Sequence, residues 1–235
     1  MEVILIVVAV AGLVAGIVYG HLRERKRTES LRSIADRLGL DFDHAADRTA
    51  DDRLSHFAMF CKGHSRKAWN IMRGRVTLGS HEISIELGDF LYKVTTRTGK
   101  NRSTKTYRFS YLVAVNPIGS CPETIIRREG FFDRVKGVLG FDDIDFESVE
   151  FSRTFHVSSD DKRFAYDLID QGMMEFLLED PPPAVEVDGD DICVSDGKRR
   201  WDPEEFEAMV RWVGRMLDRW PAHLKASLRR TEDVE

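Results

Sequence analysis

Cysteine is scarce in this chain: three in 235 residues, at Cys61, Cys121 and Cys193. No two have metal-ligand spacing, and an odd, scattered set builds no disulfide framework. Reduced thiols in a cytosolic compartment are the reading that fits. Proline is also sparse, at seven, and three of these are consecutive at 181–183. That excludes a proline-rich linker as the bulk of the chain. Basic charge is not in excess. Lys and Arg number 35 against 40 Asp and Glu, a formal charge of −5. A nucleic-acid coat needs a net basic face, so no nucleic-acid partner is expected. The seven histidines (21, 44, 56, 64, 81, 156 and 223) are scattered, with no H-E-x-x-H pair. There is no G-x-S-x-G elbow and no cysteine-nucleophile signature. The expectation is therefore a chain that is not an enzyme, with no catalytic residue, no metal site and no cofactor.

What is present is an uncharged run at the N-terminus, Val3 to Gly20 (VILIVVAVAGLVAGIVYG). Eighteen helical residues span about 27 Å, close to the roughly 30 Å hydrocarbon core of a bilayer. Only Met1 and Glu2 precede it, while Arg23, Arg25, Lys26 and Arg27 follow. Positive charge collects on the cytoplasmic side. The expectation is a cell-membrane protein with one uncleaved span, its N-terminus outside and its soluble part inside. A cleaved signal would carry its positive charge before the run. Gly12 and Gly16 give a small-xxx-small spacing that permits helix pairing.

The chain as a whole holds 42% apolar and 32% charged residues, enough for a core. Thr28–Leu40 reads as a helix with Leu31, Ile34, Ala35 and Leu38 on one face, capped by Gly39. Asp41–Asp52 reads as an acidic loop, and Arg53–Cys61 as a short apolar segment. Strands are expected at Ile71–Leu78, His81–Thr96, Thr106–Val115 and Glu123–Arg128, with a polar hairpin loop at Thr98–Lys105. A helix at Phe131–Leu139 and a strand at Phe151–Val157 follow. Short helices at Lys162–Ile169 and Met173–Leu178 end at Pro181, and two strands turn around Asp188-Gly189. The last helix is the best marked: Asp202 at the N-cap, Pro203 at N1, Glu205 completing a capping box, and Phe206, Val210, Val213 and Leu217 in one stripe.

Short connections predict a mainly antiparallel α+β fold with a C-terminal amphipathic helix. Seven strands and a final helix are also similar to a pleckstrin-homology-like barrel. The expected division is 1–20 anchor, 21–52 basic juxtamembrane segment, helix and linker, 53–221 soluble α+β domain, and 222–235 charged tail.

Two segments carry candidate chemistry. Lys100, Arg102, Lys105 and Arg108 crowd the hairpin, where each cation near an anionic membrane is worth about 1 kcal/mol. Gly99-Lys100 is not a phosphate-binding loop: Val94 and Asn101 stand where that motif needs Gly and Ser or Thr. The acidic stretch with Asp142, Asp143, Asp145, Glu147 and Glu150 lacks the EF-hand glycine, since Ser148 holds its place.

Motifs spread along the chain add a likeness. They include Gly63-His64-Ser65 with Trp69-Asn70, Gly99-Lys100-Asn101-Arg102-Ser103-Thr104, Glu129-Gly130-Phe131-Phe132-Asp133, and Gly140-Phe141-Asp142-Asp143. Phe151-Ser152-Arg153-Thr154-Phe155 and Trp201-Asp202-Pro203-Glu204-Glu205-Phe206 continue them. Together they resemble an uncharacterised family of bacterial single-span membrane-anchored proteins. The resemblance implies a membrane-tethered domain of unknown function. The functional expectation is a non-enzymatic interaction or scaffold module with an unidentified protein partner. The alternative is an anionic lipid headgroup or anion sensor acting through residues 99–108.

Overall fold

The computed structural model describes the backbone of residues 2–79, 81–99, 101–128 and 144–232. Side chains are described within these, except at 2–9, 227 and 229–232. The fold begins with one long helix, α1 (Glu2–Leu38), that runs unbroken from the apolar run into the core. Gly39, at φ +69°, ends it, and Leu40 N–H donates to Ala35 at 2.9 Å. The strand β1 (Asp41–Asp43) and the short helix α2 (Ala50–Arg53) follow. Three long strands come next: β2 (His64–Leu78), β3 (His81–Thr98) and β4 (Asn101–Val115). The second half holds β5 (Cys121–Arg128), α3 (Val149–Thr154), β6 (Phe155–Ser159), α4 (Lys162–Leu168) and α5 (Gln171–Glu179). It closes with β7 (Ala184–Gly189), β8 (Asp191–Val194), α6 (Pro203–Asp218) and α7 (Ala222–Glu232).

The strands form one antiparallel sheet in the order β1-β2-β3-β4-β8-β7-β5-β6. Alternation along each strand builds a core on each face. On one face Ile83, Ile85, Leu87, Leu112 and Ala114 pack with Leu31, Ile34 and Ala35 of α1 and Phe206, Val210, Val213 and Leu217 of α6. On the other, Phe90, Phe109, Tyr111 and Val113 pack under Leu54, Phe57 and Phe60. Each large apolar side chain so buried contributes about 1.5–3 kcal/mol. The α6 start behaves as its sequence directs: Glu205 Oε2 accepts from the Asp202 N–H at 2.7 Å.

The mainly antiparallel α+β reading holds. Its edges, β1 and β6, do not pair among the described residues, so the sheet is open and is not a closed barrel. Several finer expectations give way. Asp41–Asp43 is a strand because Phe42 follows the α1 cap directly onto the β2 edge. Leu31, Ile34, Ala35 and Leu40 are buried in the core alongside the sheet. Ser148 caps a helical turn at Val149–Thr154 where a strand start is expected, and the strand begins at Phe155. The tail is helical over Ala222–Glu232, with Leu224 buried. The expected helix 131–139 lies outside the described residues, as do Asp142 and Asp143.

Among the described residues no helix is long and apolar enough to cross a membrane. Seven residues of the expected span, 3–9, lie outside those whose side chains are described. Between Val10 and Leu22 the apolar side chains of α1 are bare: Val10, Leu13, Val14, Ile17, Val18, Tyr19 and Leu22 are 51–69% exposed.

Candidate membrane-facing site

Arg27 closes the basic cluster that follows the apolar run, and it does not face solvent. Its Nε donates to Asp89 Oδ2 at 2.8 Å and its Nη2 to Asp89 Oδ1 at 2.7 Å. Nη1 donates to the Trp201 carbonyl at 2.6 Å. Asp89 is fully buried in β3. Its remaining lone pairs accept from Ser110 Oγ at 2.7 Å and Asn70 Nδ2 at 3.4 Å. Asn70 reaches it because β2 bulges there, with Asn70 in the left-handed region at φ +52°. Thr28 Oγ1 donates to Asn70 Oδ1 at 3.0 Å, and Trp201 N–H to Ser110 Oγ at 3.0 Å. One turn earlier on α1, Glu24 accepts two hydrogen bonds from Arg200, at 2.8 and 2.6 Å. The Arg200 hydrogen bonds hold the Glu24 carboxyl below its usual range, against the opposing effect of burial. A buried bidentate ion pair is a geometric lock: removing one partner strands the other in a low dielectric.

The lock sets where α1 points. Leu40 packs over Gly74, which pairs with Ile85, while Arg27 meets Asp89. Traced back from Leu40 to Arg27, α1 therefore follows β3 from Ile85 toward Asp89. From Asp89 the β3–β4 ribbon continues to Thr98, roughly 30 Å further, whereas α1 reaches Gly20 in about 10 Å. From Asp89 the ribbon is thus longer than the stretch of α1 that separates Arg27 from the apolar run.

Strand pairing reaches Thr98↔Asn101, so Thr98 and Asn101–Lys105 of the expected loop are strand, with Gly99 at φ +60°. The register opposes Asp89 to Ser110, Leu91 to Arg108, Lys93 to Thr106, and Arg97 to Arg102. Opposed residues share a face, and alternate residues return to it. Arg102 and Arg108 therefore stand with Lys93 and Arg97 on the side where Asp89 meets α1. Lys105, opposite Val94, stands on the other side, its ammonium 4.9 Å from the Tyr107 ring centre. Lys100 lies outside the described residues. Sequence reading thus joins residues of two faces and omits Lys93 and Arg97. The available signal was charge: no carboxylate occurs between Asp89 and Glu123. Arg108 acts electrostatically on Glu24, while Lys93, Arg97 and Arg102 have no carboxylate partner among the described residues.

The opposite face of the sheet holds a cavity of about 480 Å³ lined by Arg53, Arg73, Arg75, Glu86, Val113 and Asp191, among others. Its cations are already engaged. Arg53 and Arg73 each donate to Glu86 at 2.8 Å, and both reach Asp47, at 3.1 and 3.0 Å. Burial works against the Asp47 charge, but hydrogen bonds from Thr49, Arg73 and Arg53 hold its carboxyl at about 2. Burial pushes the Cys121 thiol up to about 12 and the Cys193 thiol well above its usual value, so neither is a ready nucleophile. Among the described residues no group of three potential ligands could hold a metal ion.

No protein-family model matches the chain, and no curated protein does. The crystal structure of the mycobacterial trehalose monomycolate transport factor A, TtfA, is similar in fold, with a TM-score of 0.59 at 13% sequence identity. The match covers 84% of this chain and 97% of that one.

Proposed function

We propose that this chain is a single-span cell-membrane protein whose α+β domain is a non-enzymatic interaction module on the cytoplasmic side. The observation that carries the reading is α1. Its apolar surface from Val10 to Leu22 is exposed, and the same helix continues into the core through Arg27 and Asp89. A monomeric soluble protein rarely leaves so much contiguous apolar surface in water. A bilayer removes that cost, and the uncharged run of 3–20 has the length to span it. The basic cluster 23–27 then orients the domain inward. The neighbouring fold TtfA is a transport factor by name; at 13% identity this reading takes no cargo from it.

Fractionation of the full chain tests the anchor, and chemical crosslinking in native membranes tests the module. The chain should resist alkaline carbonate extraction, and a variant lacking 3–20 should be released. A partner should crosslink to the full chain and not to an anchor of residues 1–30 alone. Release of the intact chain by carbonate would overturn the anchor. Turnover by the purified chain in a broad hydrolase and transferase panel would overturn the non-enzymatic reading.

A further inference from the structure

We propose that one face of the β3–β4 hairpin, carrying Lys93, Arg97, Arg102 and Arg108, lies against the anionic lipid headgroups of the leaflet that α1 enters. This rests on reading residues 3–20 as a span. Three observations converge. The lock between Arg27 and Asp89 makes α1 and the hairpin leave the body in the same sense. The ribbon, roughly 30 Å from Asp89 to Thr98, is longer than the about 10 Å of α1 between Arg27 and Gly20, so it has the length to reach the level where the apolar run begins. Of the residues that return to the α1 side along that ribbon, four are cations and the rest are Leu91 and threonines, and no carboxylate lies on the ribbon beyond Asp89.

The surface is suited to a bilayer more than to a compact anion. Arg102 and Arg108 are six residues apart, which spreads their charge over about 20 Å. A plane of headgroups is the anionic surface that such a stripe matches, and the inner leaflet supplies a negative potential within a Debye length of it. The rest of the chain is net acidic, so the stripe is where attraction to the bilayer concentrates. Contact would fix the domain's rotation about α1, which a single helix leaves free.

The test uses the full chain in vesicles of phosphatidylcholine, with and without phosphatidylglycerol. A Cys61→Ser background removes the exposed thiol, while Cys121 and Cys193 are buried. An environment-sensitive fluorophore is placed at Asn101→Cys near the hairpin tip. A second sample carries it at Glu82→Cys, at the other end of β3. Headgroup spin-labelled lipid quenches whatever approaches the bilayer, and carbonate extraction reports insertion in the same samples. Quenching at position 101 should appear in the phosphatidylglycerol vesicles and weaken with salt, while position 82 stays unquenched. Arg97→Glu with Arg102→Glu should cut it at least tenfold, since each lost cation is worth roughly fivefold. Lys105→Glu, on the opposite face, should leave it unchanged. Insertion without quenching at 101, or equal quenching in neutral vesicles, would overturn the proposal. So would an effect of Lys105→Glu equal to that of Arg102→Glu. Failure to insert would instead remove the anchor reading on which it rests.

Discussion

Glu186 sits on β7 at 3% exposure, and its Oε1 has no hydrogen-bond partner. Burial pushes its carboxyl up to about 7; Arg127 pulls it back, while Glu123 and Asp188 add to the rise. The folded state therefore holds this proton more tightly than the unfolded chain does. Stability from this group is intact below the ordinary glutamate value and is lost as pH rises toward 7. At about 1.4 kcal/mol per tenfold change in proton affinity, the loss above pH 7 is on the order of 3 kcal/mol. Glu186→Gln should match the parent in urea denaturation near pH 4.5 and be more stable at pH 8. The same difference at both pH values would show that Glu186 does not titrate in this range. Asp89, unlike Glu186, has hydrogen-bond partners at both carboxylate oxygens. Asp89→Asn leaves Arg27, whose side chain is 12% exposed, without its counter-charge. The expected loss is about 3–5 kcal/mol, and Arg27→Met in the same chain should recover most of it. Additive losses in that cycle would mean the two residues do not act as a pair.

The elements differ in how plainly the sequence announces them. The α6 helix declares itself through Asp202, Pro203, Glu205 and a stripe of period 3.6, and each feature acts locally. Strands β3 and β4 announce themselves by alternation. Phe151 and Phe155 mislead because a spacing of four suits both periods: it keeps them on one strand face and puts them one turn apart on a helix. Ser148, capping Phe151 N–H at 3.2 Å, decides between them. The strand β1 and helix α7 are held by tertiary contacts that no local period shows. The lock at Arg27 was hidden in the same way, since a flanking arginine reads as topology. Its counter-signal was Asp89 itself, a carboxylate set among Leu87, Phe90 and Leu91 in β3. A carboxylate there needs a cation, though sequence alone does not say which. One element contact is a sharp constraint. A Cβ on Gly214 of α6 would stand 2.9 Å from Leu78 Cβ. Gly214→Ala should cost about 1–2 kcal/mol in thermal unfolding, the overpacking exceeding the gain in helix propensity. A more stable alanine variant would mean that α6 can lift from β2 without loss.

At the scale of the whole molecule, α1 converts a local ion pair into an orientation. A helix of 37 residues is about 55 Å long, and its last third is fixed by packing, by Arg27 and by Glu24 with Arg200. Whatever holds the first two-thirds also aims the sheet, because helices bend sharply only at identifiable breaks, and no proline occurs between residues 2 and 38. Five residues of Gly and Ser inserted between His21 and Leu22 would leave every core contact and both ion pairs in place. Thermal unfolding of the domain should then be unchanged. Energy transfer from a donor at Glu82→Cys to acceptors in the bilayer should pass from a narrow to a broad distance distribution. If the hairpin rests on headgroups, the inserted chain should regain part of its narrow distribution in anionic vesicles and none in neutral ones. A distribution unaffected by the insert in both vesicle types would show that α1 does not transmit orientation, and the anchor would then be only a tether.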